Sequence, residues 1–154
     1  PKLVVDGRLI TGQNPYSTTA VAEAIVRATG RTPVARTPWR DETSMALVER
    51  LLGGDVQAAH AALAADVSRH HVELIGILGH YQAQAAPNDA ALEQALQVME
   101  LALPYMQEAQ LKLAAAQAHL KLKRPAQARA LVLQALAANP KLEQAQALLR
   151  QIDG

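Results

Sequence analysis

In the stretch AQARALVLQALAANP, Ala128, Leu131, Val132, Ala135 and Leu136 recur at i, i+3, i+4, i+7 and i+8. That spacing lines one face of an α-helix with apolar side chains, and the alternation of a strand cannot reproduce it. Asn139-Pro140 closes the run and reads as the N-cap and first residue of a last helix with Leu142, Ala145, Leu149 and Ile152 on its apolar face. The pattern extends backward. Met45, Val48, Leu51 and Leu52 share one face of a helix that Gly53-Gly54 stops, and Asp55 caps the next over residues 56–65. Further helices are expected over residues 67–85, 89–103 and 105–121, with Pro104 either opening the last or kinking a longer one. From Glu42 onward the chain therefore reads as helix after helix, divided by short breakers.

These helices pair into hairpins with a repeat of about 34 residues, and a small residue stands where the two arms of a pair cross. The last full unit, residues 109–140, resembles a tetratricopeptide repeat, with Ala116 at the tight contact and Ala128, Val132, Ala135, Leu136 and Pro140 following in the family's order. It departs from that pattern at Lys112, where a large aromatic should open the unit, and at Lys123, where a glycine should make the turn. Ala59 and Leu63 fit the first hairpin, and the second registers on Ala91 or Ala95. Methyl-sized side chains let helices approach closely, so stacked hairpins share a core that no single hairpin could bury. The resemblance implies a concave face lined from the fifth of these helices by Gln110, Leu113, Gln117, Leu120 and Lys121, and a protein or peptide as the partner.

The opening stretch VVDGRLITGQNPYSTTAVAEAIVRATG behaves differently. Two apolar runs flank Asp6-Gly7, a dipeptide that tolerates the positive φ of a tight hairpin turn. Gly12, Asn14 and Pro15 then break the chain, Ser17 or Thr18 is placed to cap a helix, and Val21, Ala24, Ile25 and Ala28 recur at helical spacing before Gly30. A lone two-stranded hairpin is marginal in water, and one helix covers only one of its faces. The run Thr11, Gly12, Gln13, Asn14, Pro15 and Ser17, in its hairpin-loop-helix setting, resembles the C-terminal end of the ThiJ/PfpI family of class I glutamine amidotransferase-like proteins; Tyr16 stands where a small residue is expected. The resemblance implies a remnant of a doubly wound α/β domain whose chemistry uses an elbow cysteine. The chain has no cysteine, so that chemistry does not transfer to it. Backbone geometry alone accounts for these residue types as turn and cap; the sharper reading places Gln13 and Asn14 beside the active-site mouth of the parent domain.

The expected architecture is mainly α: stacked antiparallel, tetratricopeptide-like helical hairpins over residues 42–154, a linker over 31–41, and at 1–30 a short β-hairpin and helix left over from an α/β domain. In the linker, RTPVARTPWRD, two prolines suppress helix and Trp39 is expected to dock on the next helix. Residues 1–40 carry six Lys or Arg against two acids, yet the net charge of the chain is +1, which gives no concentrated basic face for nucleic acid or membrane. There is no long apolar run, no secretory leader and no cysteine, so a cytoplasmic protein is expected. The chain opens on PKLVVDG without an initiator Met, as an internal fragment or a processed chain would.

His70, His71, Glu73 and His80 lie in one predicted helix, but adjacent residues diverge by about 100° and no second carboxylate completes a metal site. They read as hairpin surface, His119 as a helix-contact residue, and Met99, Tyr105 and Met106 as core or as a greasy groove for a partner. No cofactor is expected. Two function classes follow: a non-catalytic interaction module attached to a ThiJ/PfpI-like protein, or a regulatory or capping part of a cysteine-dependent hydrolase or glyoxalase-like enzyme. A homodimer that completes its sheet through the hairpin is a third arrangement.

Overall fold

The computed structural model describes residues 2–154; Pro1 lies outside the described residues. The protein is mainly helical. Strands β1 (Leu3–Asp6) and β2 (Leu9–Gly12) form an antiparallel hairpin, followed by α1 (Thr18–Ala28). Then come α2 (Arg40–Leu52), α3 (Val56–Ala65), α4 (Val72–Ala85), α5 (Asp89–Ala102), α6 (Ala109–Lys121), α7 (Pro125–Ala138) and α8 (Glu143–Asp153).

Short connectors force consecutive helices into antiparallel pairs, and the closest packing is α4 on α5 and α6 on α7, with α2 on α3 looser. The first arms α2, α4 and α6 begin roughly 35 residues apart and pack side by side, while α5 lies against both α2 and α6. Close approach rests on small residues. A Cβ built on Gly79 would stand 2.7 Å from the Met99 backbone nitrogen and 3.0 Å from the Ala95 carbonyl oxygen, so α4 meets α5 at the register of Ala95. In the last pair Ala116, Ala128, Val132 and Ala135 are fully buried.

Two core clusters meet at α6. Leu111, Ala115 and Ala118 face a core running through α2 to α5, whereas Leu113 and Ala116 face α7 and α8. A helix apolar on two sides shows no single stripe, whereas α8 buries only the side bearing Leu142, Ala145, Leu149 and Ile152 and ends the stack as a cap. Each fully buried Leu in these layers contributes about 1.5–3 kcal/mol.

Several boundaries differ from expectation, each for a physical reason. The helix expected over 67–85 is a single 3-10 turn at Val67–Arg69, an extended break at His70-His71, and then α4. The break is held from α2: Ser44 Oγ accepts the His71 amide at 2.7 Å, Arg40 donates to the His70 carbonyl from Nε and Nη2 at 3.1 and 2.5 Å, and the Thr43 hydroxyl donates to the Arg69 carbonyl. Pro104 neither opens nor kinks α6; it sits in a 3-10 turn, Leu103–Tyr105, that closes α5, after which Met106 is extended. Asn139 ends α7 and Pro140 lies in the turn beyond, so the N-cap of α8 is Leu142.

At the N-terminus the two-residue turn is Gly7-Arg8 rather than Asp6-Gly7, since Asp6 pairs with Leu9 and Gly7 carries the positive φ of 56°. Helix α1 lies over the face of Gly12, where a Cβ would meet Val21 and Ser17 at 2.8 and 2.6 Å, but it buries none of its own residues. Arg36 joins this unit to the stack, bonding Glu23 of α1 at 2.9 Å and Glu42 of α2 at 2.7 Å. Trp39 does not dock: it is two-thirds exposed, because its cap role uses only its backbone, whose N–H donates to Glu42 Oε2 at 2.8 Å and whose carbonyl accepts from Thr43.

Candidate functional site

The side-by-side packing of α4 and α6 leaves a groove of about 440 Å³ between them. Helical spacing builds its walls: Glu73, Ile77 and His80 are i, i+4 and i+7 on α4, and Gln110, Leu113, Ala114 and Gln117 are i, i+3, i+4 and i+7 on α6. Met106 and Leu111 form the floor and Gln144 of α8 reaches the edge. Ile77 stands half exposed against this apolar floor.

Gly76 sets the depth of the groove. A Cβ there would lie 2.7 Å from Met106 Sδ and 2.8 Å from Leu111 Cδ2, so both side chains rest directly against the α4 backbone. The segment beneath is pinned by Lys112, a buried residue whose ammonium donates to the Met106 carbonyl at 2.9 Å. Lys112 thus uses a charge to anchor the approach to α6.

Charge is placed by the helix ends. Glu73 lies in the first turn of α4 and Glu108 is the N-cap residue of α6, so both carboxylates fall at one end of the groove. Glu73 has only a 3.8 Å contact with Nε2 of His71, whose Nδ1 pairs with Asp41 Oδ1 at 2.8 Å. Toward the other end a smaller cleft of about 90 Å³ shares His80, Ala114 and Gln117 and reaches Gln84 and Lys121. The two cavities form one channel along α6.

Of the five residues expected on the concave face, Gln110, Leu113 and Gln117 line the groove and Lys121 the adjoining cleft. Leu120 packs into the core shared with α7 and α8. The sequence reading placed Glu73 and His80 on a hairpin surface without joining them to the groove, and missed Ile77, Glu108 and Gln144; the available signal was Glu73, Ile77 and His80 at i, i+4, i+7, a face outside the apolar stripe of α4. Met106 lies under the groove, Met99 is core, and Tyr105 is exposed, contrary to its expected burial.

The residues of the opening loop are occupied locally. Gln13 pairs with Lys2 through backbone and side chain at 2.9 and 3.1 Å, Asn14 Oδ1 accepts the Tyr16 amide, and Ser17 Oγ both accepts from and donates to the Asn14 backbone. Asn14 is therefore the capping side chain; Ser17 makes no side-chain cap bond to α1, and Thr18 Oγ1 donates back to the Pro15 carbonyl. Thr11 and Gly12 end β2, and Pro15 opens the 3-10 turn.

Among the described residues no three His, Asp or Glu side chains converge as metal ligands would. His70 is buried with Nδ1 unpartnered, and burial, with repulsion from Arg69, pushes its imidazole below the usual range. His119 of α6 is buried, with its Nε2 3.1 Å from Glu100 Oε1 of α5. Of the linker-region arginines, Arg27 pairs with Glu23, Arg36 with Glu23 and Glu42, and Arg40 with the His70 carbonyl. No helix among the described residues is long and apolar enough to cross a membrane. No protein-family model matches the chain, and neither a curated protein nor a solved structure matches it.

Proposed function

We propose that residues 42–154 are a non-catalytic, tetratricopeptide-like interaction module that holds a protein or peptide segment between α4 and α6, carried on a ThiJ/PfpI-like protein whose last hairpin and helix are residues 1–30. The groove carries this reading: a half-exposed Ile77 faces an apolar floor of Met106 and Leu111, flanked by amides that both donate and accept. Panning a displayed peptide library on the full chain tests it. Peptides recovered by the wild type should fail to bind Gln117→Trp, which fills the groove from an exposed position on its wall, while circular dichroism stays unchanged. Equal recovery by both proteins refutes the reading.

One feature favours a second arrangement at the other end of the molecule. Val4, Val5, Leu9 and Ile25 are all about half exposed or more, and among the described residues the two strands pair only with each other. Covering them with the sheet of a cysteine-dependent hydrolase would make this chain its regulatory cap, and covering them with a second copy would make a homodimer. Sedimentation separates these: a concentration-dependent dimer supports the second copy, and a monomer whose residues 3–12 exchange amide hydrogens rapidly supports a missing sheet.

A further inference from the structure

We infer, resting on the groove being a binding site, that its occupant is an extended peptide segment pairing an apolar side chain with a lysine or arginine at the Glu73–Glu108 end. The polarity follows from adding the charges that face each end. At the first, two carboxylates stand over the N-termini of α4 and α6, whose half charges sum to about one positive unit; the Lys112 ammonium behind the Met106 carbonyl and the Asp41 carboxylate behind His71 offset each other, so that end keeps about one unit of negative charge. At the other, Lys121 stands at the C-termini of α4 and α6, which together offset its single charge. One end of the channel therefore prefers a cation and the other has no preference.

Among the described residues no lysine or arginine lines the groove, and the histidine contact of Glu73, with His71 Nε2 at 3.8 Å, is an ion pair only when that ring is protonated. Ile77 and Leu113 lie farther along the channel from Glu73 and Gln110 by about one helical turn, which seats an apolar side chain beside the cationic one. Gln110, Gln117 and Gln144 line the walls, and a primary amide can pair with either a main-chain N–H or a C=O. A helix has already satisfied those groups; an extended segment has not, which is why an extended occupant gains more from this wall. Helix α6 is about 20 Å long, a distance spanned by about six extended residues.

The test uses three fluorescein-labelled, end-capped hexapeptides that share an apolar core and carry Lys, Ser or Glu at one end, titrated against the full chain by fluorescence polarisation. The Lys peptide should bind about tenfold more tightly than the Glu peptide at low ionic strength, with the gap shrinking as salt is added. In Glu73→Gln/Glu108→Gln, whose two altered side chains are exposed and leave the fold intact, all three peptides should bind within about twofold of one another. Equal affinities on the wild type, or a Lys preference that survives in the double variant, would overturn this inference alone. Failure of all three peptides to bind would overturn the interaction reading with it, and so would a second copy of the chain found occupying the groove by cross-linking.

Discussion

Lys123 is the one non-glycine residue with positive φ among those described, at 60°. It closes α6 through paired bonds, its own N–H to the Leu120 carbonyl and the Arg124 N–H to the His119 carbonyl, both at 2.9 Å. The same pair of bonds closes α2 at Gly54 and α1 at Gly30, with φ of 96° and 77°. The molecule thus solves one turn three times, twice with glycine and once against the side chain. A left-handed L-residue costs about 1–2 kcal/mol, and a glycine gives back about 0.4–1 kcal/mol through the greater freedom of its unfolded chain. Lys123 is exposed and its side chain makes no hydrogen bond or ion pair among the described residues, so nothing else is lost. Lys123→Gly should therefore stabilise the fold by about 0.5–1 kcal/mol, raising Tm by about 1–4 °C. Lys123→Ala keeps the Cβ and should stay within about 0.5 kcal/mol of the wild type. Urea unfolding followed by circular dichroism reads both, with the slope m unchanged. A glycine variant that melts at or below the wild type would refute the strain assigned to this turn.

Gly79→Ala should destabilise by about 1–3 kcal/mol despite the better helix propensity of alanine, because its Cβ meets the backbone of α5; Gly76→Ala meets only the flexible ends of Met106 and Leu111 and should be near neutral in the same melt. Arg36→Ala should quicken proteolysis within residues 31–39 without moving the main melt. Acid should do the same to the wild type: Arg36 holds the Glu42 carboxyl below its ordinary range, so this tether is intact above about pH 4.3 and is lost as pH falls through the lower folded value. His70, depressed chiefly by burial, titrates the other chemistry with the same sign. Its unfolded form takes a proton first, so stability is full above about pH 6.5 and falls as the pH drops toward the folded value; His70→Gln should flatten the Tm of the wild type across that window.

What could be read from the residues alone was whatever neighbours in sequence decide. Ala128, Val132 and Ala135 announce a buried helical face by their spacing, and Gly54 announces a left-handed stop by lacking a Cβ; Lys123 takes the same left-handed φ with a side chain in place. What could not be read was decided from far away. Nothing in VSRHHVEL tells that a helix must break at His70, because the groups that hold the break, Arg40, Thr43 and Ser44, belong to a helix roughly 30 residues earlier. Likewise Met106 is extended because it is covered by Gly76 and anchored by Lys112, neither of which marks a loop by its own identity. The groove has the same origin. Glu73 and Glu108 are each unremarkable acids at a helix start, favoured there by the local dipole, and they become a common charged rim only once α4 and α6 lie side by side. The features that a partner would recognise are therefore products of stacking, and a substitution that loosens the α4–α5 contact at Gly79 should weaken peptide binding without touching a single groove residue.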